Sequence, residues 1–137
     1  MTAYIGLVVA ARNAHLDDIH TRMNAGAGPA LLRIYDGTRP ATGGAATTLV
    51  AELTFSDPAA ASGASNGLLT FSAITKDSSA NANGSPATWC RIVDSTAAFV
   101  MDGNVGTSAA DFVLNTTTIT AGVEVSCTSA ALTAGNS

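Results

Sequence analysis

Between residues 5 and 24, apolar side chains recur at alternating steps of four and three, at Ile5, Val9, Leu16, Ile19 and Met23, with Arg12 interrupting the seam. That is the period of a helix with one apolar face; Asn13, Asp17, Asp18 and Thr21 fall elsewhere on it. The run Asn24-Ala25-Gly26-Ala27-Gly28-Pro29 stops the helix, since glycine takes a left-handed cap and proline forbids continuation. About 20 residues at ~1.5 Å each make a helix of roughly 30 Å, long against the roughly 14 Å radius of gyration of a domain this size. The seam is therefore expected to be buried. The helix covers a sheet face or the open end of a sandwich, or projects and pairs with a second copy.

Beyond Pro29 the period changes to two. Strands are predicted over 30–35, 48–55, 68–75, 87–94, 98–102, 112–120 and 123–132, with turn signals between them at Asp36-Gly37, Asp57-Pro58, Ser95-Thr96 and Ala121-Gly122. Residues 38–47 and 59–67 are loops rich in Gly, Ala, Thr and Ser, and 76–86 is a polar loop. Short alternating strands at this spacing predict a β-sandwich or small barrel. The expected fold is mainly β, a jelly-roll-like β-sandwich with one N-terminal α-helix: helix and cap over 1–28, sandwich over 29–137, in a single domain. Two local echoes occur, Arg33-Ile34-Tyr35-Asp36 with Arg91-Ile92-Val93-Asp94 and Leu53-Thr54-Phe55-Ser56 with Leu69-Thr70-Phe71-Ser72. Neither has the regular period of a solenoid or propeller. They mark convergent strand-end chemistry, or two equivalent strands in facing sheets.

Composition narrows the partners. The chain has 137 residues, enough for one domain with a real core. Charged residues make up 12% and aromatics 5%, about half the usual charge content of ~25%, and small β-compatible residues fill the gap. Such a surface suits a protein packed among neighbours. Net charge is -4 and Lys76 is the only lysine, which gives no basic footprint for nucleic acid and no polybasic membrane anchor. The apolar stretch 5–11 is too short for a span and lacks the cationic lead of a signal peptide, so the expectation is synthesis and folding in a cytoplasm.

Candidate chemistry is sparse. His15 and His20, the only histidines, are five apart, off a common helix face, whereas zincin pairs sit at i, i+4. No G-x-S-x-G elbow or phosphate loop occurs. Asp36, Asp57, Asp94, Asp102 and Asp111 stand singly at strand ends, where Asp serves turns. Glycosidase chemistry would need two of them to converge in a cleft, and calcium binding would need several. No enzyme activity, cofactor or metal is expected. Cys90 and Cys127 read as buried thiols acting as small hydrophobes, with a disulfide as the alternative if their strands face each other. Trp89 alternates with Arg91 and Val93 and is placed on a partly exposed face, where an aromatic can anchor an interface. The candidate interface residues are Tyr4, Leu16, Ile19, Met23 and Trp89.

Three segments carry a resemblance: Gly26-Ala27-Gly28-Pro29-Ala30-Leu31-Leu32-Arg33-Ile34-Tyr35-Asp36-Gly37-Thr38-Arg39-Pro40, Leu53-Thr54-Phe55-Ser56-Asp57-Pro58 and Ala87-Thr88-Trp89-Cys90-Arg91-Ile92-Val93-Asp94. They resemble small virion proteins of tailed bacteriophages, with the capsid cement or decoration protein as the nearest functional analogue. The resemblance implies a small β-rich protein, in some cases a jelly roll, that binds the outside of the major capsid protein lattice as a dimer or trimer and reinforces it. It implies a place on the outer capsid surface of the virion. The alternative is a head-fibre or tail component that binds host-surface glycans through Trp89 or Tyr35.

Overall fold

The computed structural model describes residues 6–80 and 83–134. Its one helix among them, α1 (Val9–Met23), begins four residues later than the seam predicts, and Ile5 lies outside the described residues. The start is weakly marked: Val8 stands at the N-cap with no side-chain bond, and no acid occupies the first turn. The end is where sequence places it. Arg22 sits in the last turn, favourable to the helix dipole. Gly26 follows with φ +96°, and a Cβ there would fall 2.3 Å from Ser95 Oγ, so conformation and crowding both call for glycine.

The chain then forms β1 (Leu31–Tyr35), β2 (Leu49–Thr54), β3 (Leu68–Thr70), β4 (Asn83–Pro86), β5 (Trp89–Val93), β6 (Phe99–Gly106), β7 (Phe112–Leu114), β8 (Thr118–Thr120) and β9 (Cys127–Thr133). Seven of these make one sheet in the order β2-β1-β5-β6-β7-β9-β3, while β4 and β8 pair with each other. All ladders are antiparallel except β6 with β7. The protein is therefore mainly β with one helix, and its sheet is mixed. The segment after β3 turns that sheet on itself. Thr75 pairs with Thr54 at the end of β2, and Asp77 pairs with Val125 just ahead of β9.

The curl brings distant apolar residues together. Phe71 lies 5.1 Å from Phe55 and 6.4 Å from Phe112, ring centre to ring centre. Leu32, Ile34, Leu53, Ile92, Leu69, Leu114 and Ile119 complete the interior, and α1 adds Leu16 and Met23. Alternation accounts for the inner face of β1: Leu32 sits opposite Leu53 and Ile92, and Ile34 opposite Ala51 and Cys90.

Several predicted strands change extent. The 68–75 strand stops at Thr70, because the chain must leave β9 to cross toward β2. The 112–120 strand divides at 115–117 into β7 and β8. The loop 76–86 contains β4, whose backbone pairs with β8 although its sequence Asn-Gly-Ser-Pro has no strand character. The echoing segments around Arg33 and Arg91 occupy adjacent strands of one ladder, not matching places in two sheets, with Arg33 directly opposite Arg91.

Candidate functional site

The strand register lines up Glu52, Arg33, Arg91 and Asp102 across β2, β1, β5 and β6. Like charges directly opposite repel, and each arginine turns outward to an acid. Arg33 Nε lies 2.9 Å from Glu52 Oε2, and Arg91 Nε lies 2.7 Å from Asp102 Oδ1. The second pair is the more enclosed, with side chains 12% and 5% exposed. Arg91 Nη2 also donates to Asp102 Oδ2 and to the Gly44 carbonyl, and its guanidinium carbon stands 5.2 Å from the centre of the Trp89 ring and 5.1 Å from that of Phe99.

Loop 36–48 closes over this half of the row. Gly43 N donates to Asp102 Oδ2, and Thr48 N donates to Asp36 Oδ1. Trp89 Nε1 donates to the Asp36 carbonyl at 3.0 Å and to Thr47 Oγ1 at 2.9 Å, and the indole stacks on Tyr35 at 4.5 Å. Burial pushes the Asp102 carboxyl up. The Arg91 hydrogen bond, the Gly43 N–H and the charges of Arg91 and Arg39 outweigh it and hold the group below its ordinary range. The Asp102 bond raises Arg91 in turn.

Trp89 is fully buried, and this corrects its placement as an interface anchor. The alternation that sets it on the face opposite the core is right, but that face is roofed by loop 36–48. Tyr35, stacked on the indole, is also buried, so neither aromatic offers a sugar a platform. Leu16 and Met23 are buried against the body of the protein and Ile19 is half-buried, so most of the seam is consumed within one chain. Tyr4 lies outside the described residues.

The polar edge of α1 fastens loop 59–67. Asn13 Oδ1 accepts Gly67 N–H at 2.8 Å, Asp17 Oδ1 accepts Ala64 N–H at 2.7 Å, His20 Nε2 accepts Ala60 N–H at 3.1 Å, and Asn24 Oδ1 accepts Ala59 N–H at 3.0 Å. Steps of four, three and four keep these acceptors on one face. Strand-end acids act in the same way. Asp94 Oδ1 holds Thr96 N, Thr96 Oγ1 and Ala98 N, Asp111 holds Asn104 N, and Asp77 holds Glu52 N and Ser79 N. The Thr96 and Ala98 bonds keep the Asp94 carboxyl below its ordinary range despite its desolvation.

Among the described residues no group of three His, Cys, Asp or Glu side chains could hold a metal ion. No helix among them is long and apolar enough to cross a membrane. Neither cysteine is in a disulfide. Burial, with the Asp111 charge, pushes the Cys90 thiol up, which leaves it un-ionised and a poor nucleophile.

Among the described residues, the large apolar side chains that remain exposed are Val8, Val9, Leu68 and Phe99. Val8 and Val9 begin α1, and Leu68 follows the Gly67 that Asn13 holds. Leu68 also lines an open hollow of about 350 Å³ with Ser62, Gly63, Ser65, Asn66 and Thr70. A second hollow, about 340 Å³, lies between residues 70–74 and the start of β9. Sequence reasoning took Val9 for the seam and passed over Leu68 and Phe99. The available signal was adjacency: in Leu68-Leu69 an alternating strand can bury only one of the pair.

No family model, curated protein or solved structure matches this chain.

Proposed function

We propose that the protein is a structural component of a phage virion that binds the outside of the major capsid protein lattice and reinforces it, as a cement or decoration protein does. The observation that carries a structural role is what its polar side chains do. Asn13, Asp17, His20, Asn24, Asp36, Asp77, Asp94, Asp102 and Asp111 all accept hydrogen bonds from backbone N–H groups, most of them in loops. Loops of Ala, Ser, Gly and Thr become fixed surfaces, so docking them costs little ordering entropy.

The capsid is named on the resemblance of residues 26–40, 53–58 and 87–94. These segments supply β1, the end of β2 and β5, three adjacent strands. A low-charge surface presented many times suits symmetric contacts with a lattice and with other copies, as a dimer or trimer. Each contact can be modest, because attachment at many points multiplies weak affinities. The test is location. Purified heads and tails separated from the same particles are probed for the protein. Near-stoichiometric presence on heads is expected, and its presence in tails with absence from heads would overturn the proposal.

A further inference from the structure

The amide oxygens of Asn13 and Asn24 take up no proton, and a carboxylate such as that of Asp17 is an acceptor only. His20 differs. Its Nε2 accepts the Ala60 N–H, which requires an unprotonated Nε2 and the ring proton on Nδ1. The imidazolium carries N–H on both nitrogens, so protonation sets a donor against a donor. Ala60 is 1% exposed, and its amide would be left unpaired.

We infer that the contact between α1 and loop 59–67 is a proton-operated clasp, closed by neutral His20 and opened when His20 is protonated. This inference stands apart from the capsid reading.

Loop 59–67 brings no titratable side chain to the ring, and Asp57 ahead of it is exposed. On the helix, Asp17 is engaged with Ala64, Asp18 pairs with Arg22 at 2.8 Å, and Arg12 lies at the far end of the loop against Gly67. His15 is exposed. Of the strands with which α1 has its main contacts, β3 has no titratable residue and β6 has only Asp102, which is paired with Arg91. His20 is thus the acceptor facing the loop on which a bound proton would set a second donor against the Ala60 N–H. The same loop contributes Ser62, Gly63, Ser65 and Asn66 to the hollow beside Leu68, so opening the clasp reshapes the surface next to an exposed apolar side chain.

The test is amide hydrogen exchange of the full chain, read by NMR at pH about 7.5 and about 5.5, either side of the usual imidazole range, and corrected for intrinsic exchange. Protection of the Ala60 amide should fall about tenfold or more at the lower pH, while that of Gly67, held by Asn13, changes little. His20→Gln keeps an acceptor that does not protonate and should abolish the fall; His15→Gln should preserve it. Equal Ala60 protection at both pH values in the wild type would overturn the clasp, as would a fall that persists in His20→Gln. Should that variant fail to fold, the ring nitrogen spectrum of the wild type decides: a proton on Nδ1 at neutral pH supports the clasp, and one on Nε2 overturns it.

Discussion

Trp89 is the only tryptophan in the chain, and its indole N–H is a fastening point of loop 36–48. Trp89→Phe keeps most of the apolar bulk and the stack on Tyr35 but leaves the Asp36 carbonyl and the Thr47 hydroxyl without that donor. A loss of about 1–2 kcal/mol is expected, readable from urea unfolding by circular dichroism. Asp102 allows a test with a definite sign. The fold holds its carboxyl below the ordinary range, so its ionised form stabilises the protein above the unfolded carboxylate pKa. That contribution is lost as pH falls through the lower folded value. Asp102→Asn should therefore flatten the acid side of the stability curve below pH about 4, while at neutral pH it destabilises by about 3 kcal/mol, because Arg91 stays enclosed without its counter-charge. Urea midpoints over a pH series check both. Residue-scale order of this kind was only half legible in the sequence. Alternation assigned Trp89 and Arg91 to one face, but the roof is held by bonds between residues 42 to 59 positions apart, and a Gly/Pro/Thr stretch does not advertise such partners.

At the scale of elements, α1 joins the protein by an apolar seam and a polar edge. The seam was readable from its period: Leu16 and Met23 are buried where the spacing puts them, while Val9 is left 40% exposed. Met23→Ala is expected to cost about 2–4 kcal/mol and Val9→Ala close to nothing, a contrast measurable by thermal or denaturant unfolding. The polar edge was not readable, because Asn13, Asp17, His20 and Asn24 would look the same on a solvated face. Gly67 tests whether this edge matters. Its φ is +73°, and a Cβ there would stand 2.6 Å from Arg12 Nη1. Gly67→Ala should destabilise by about 1–2 kcal/mol through the left-handed backbone alone, and should speed amide exchange at Ala64. β4 escaped detection for a related reason: its pairing with β8 is a backbone matter, and the Asn-Gly-Ser-Pro sequence speaks only for a turn.

At the scale of the molecule, curling closes what an open sheet would leave available. The far edge of β2 is met by Thr75 and by the Asp77 carboxylate on Glu52 N–H, and protected edges discourage strand-to-strand aggregation. At β3, Leu68 pairs back with Ser65 across the Asn66-Gly67 turn. With both edges of the seven-stranded sheet engaged at these points, association there falls to side chains on a low-charge surface. The mainly β character and the single helix followed from periodicity. The mixed order with a parallel β6–β7 pair did not, because short strands of similar composition carry no label of their neighbours. Under the proposed capsid role, the exposed apolar residues Val8 and Leu68 are the side chains with most to gain from a partner. Leu68→Glu and Val8→Glu place a charge where burial on a lattice would leave it unpaired. Both sites are already solvated in the single chain, at 42% and 71% exposure, so unfolding midpoints should move by less than about 0.5 kcal/mol. Binding to purified undecorated heads should fall about tenfold or more. A variant that folds normally and still saturates heads at the wild-type concentration would remove its residue from the contact, and the same result for both would move the lattice-facing surface to another side of the protein.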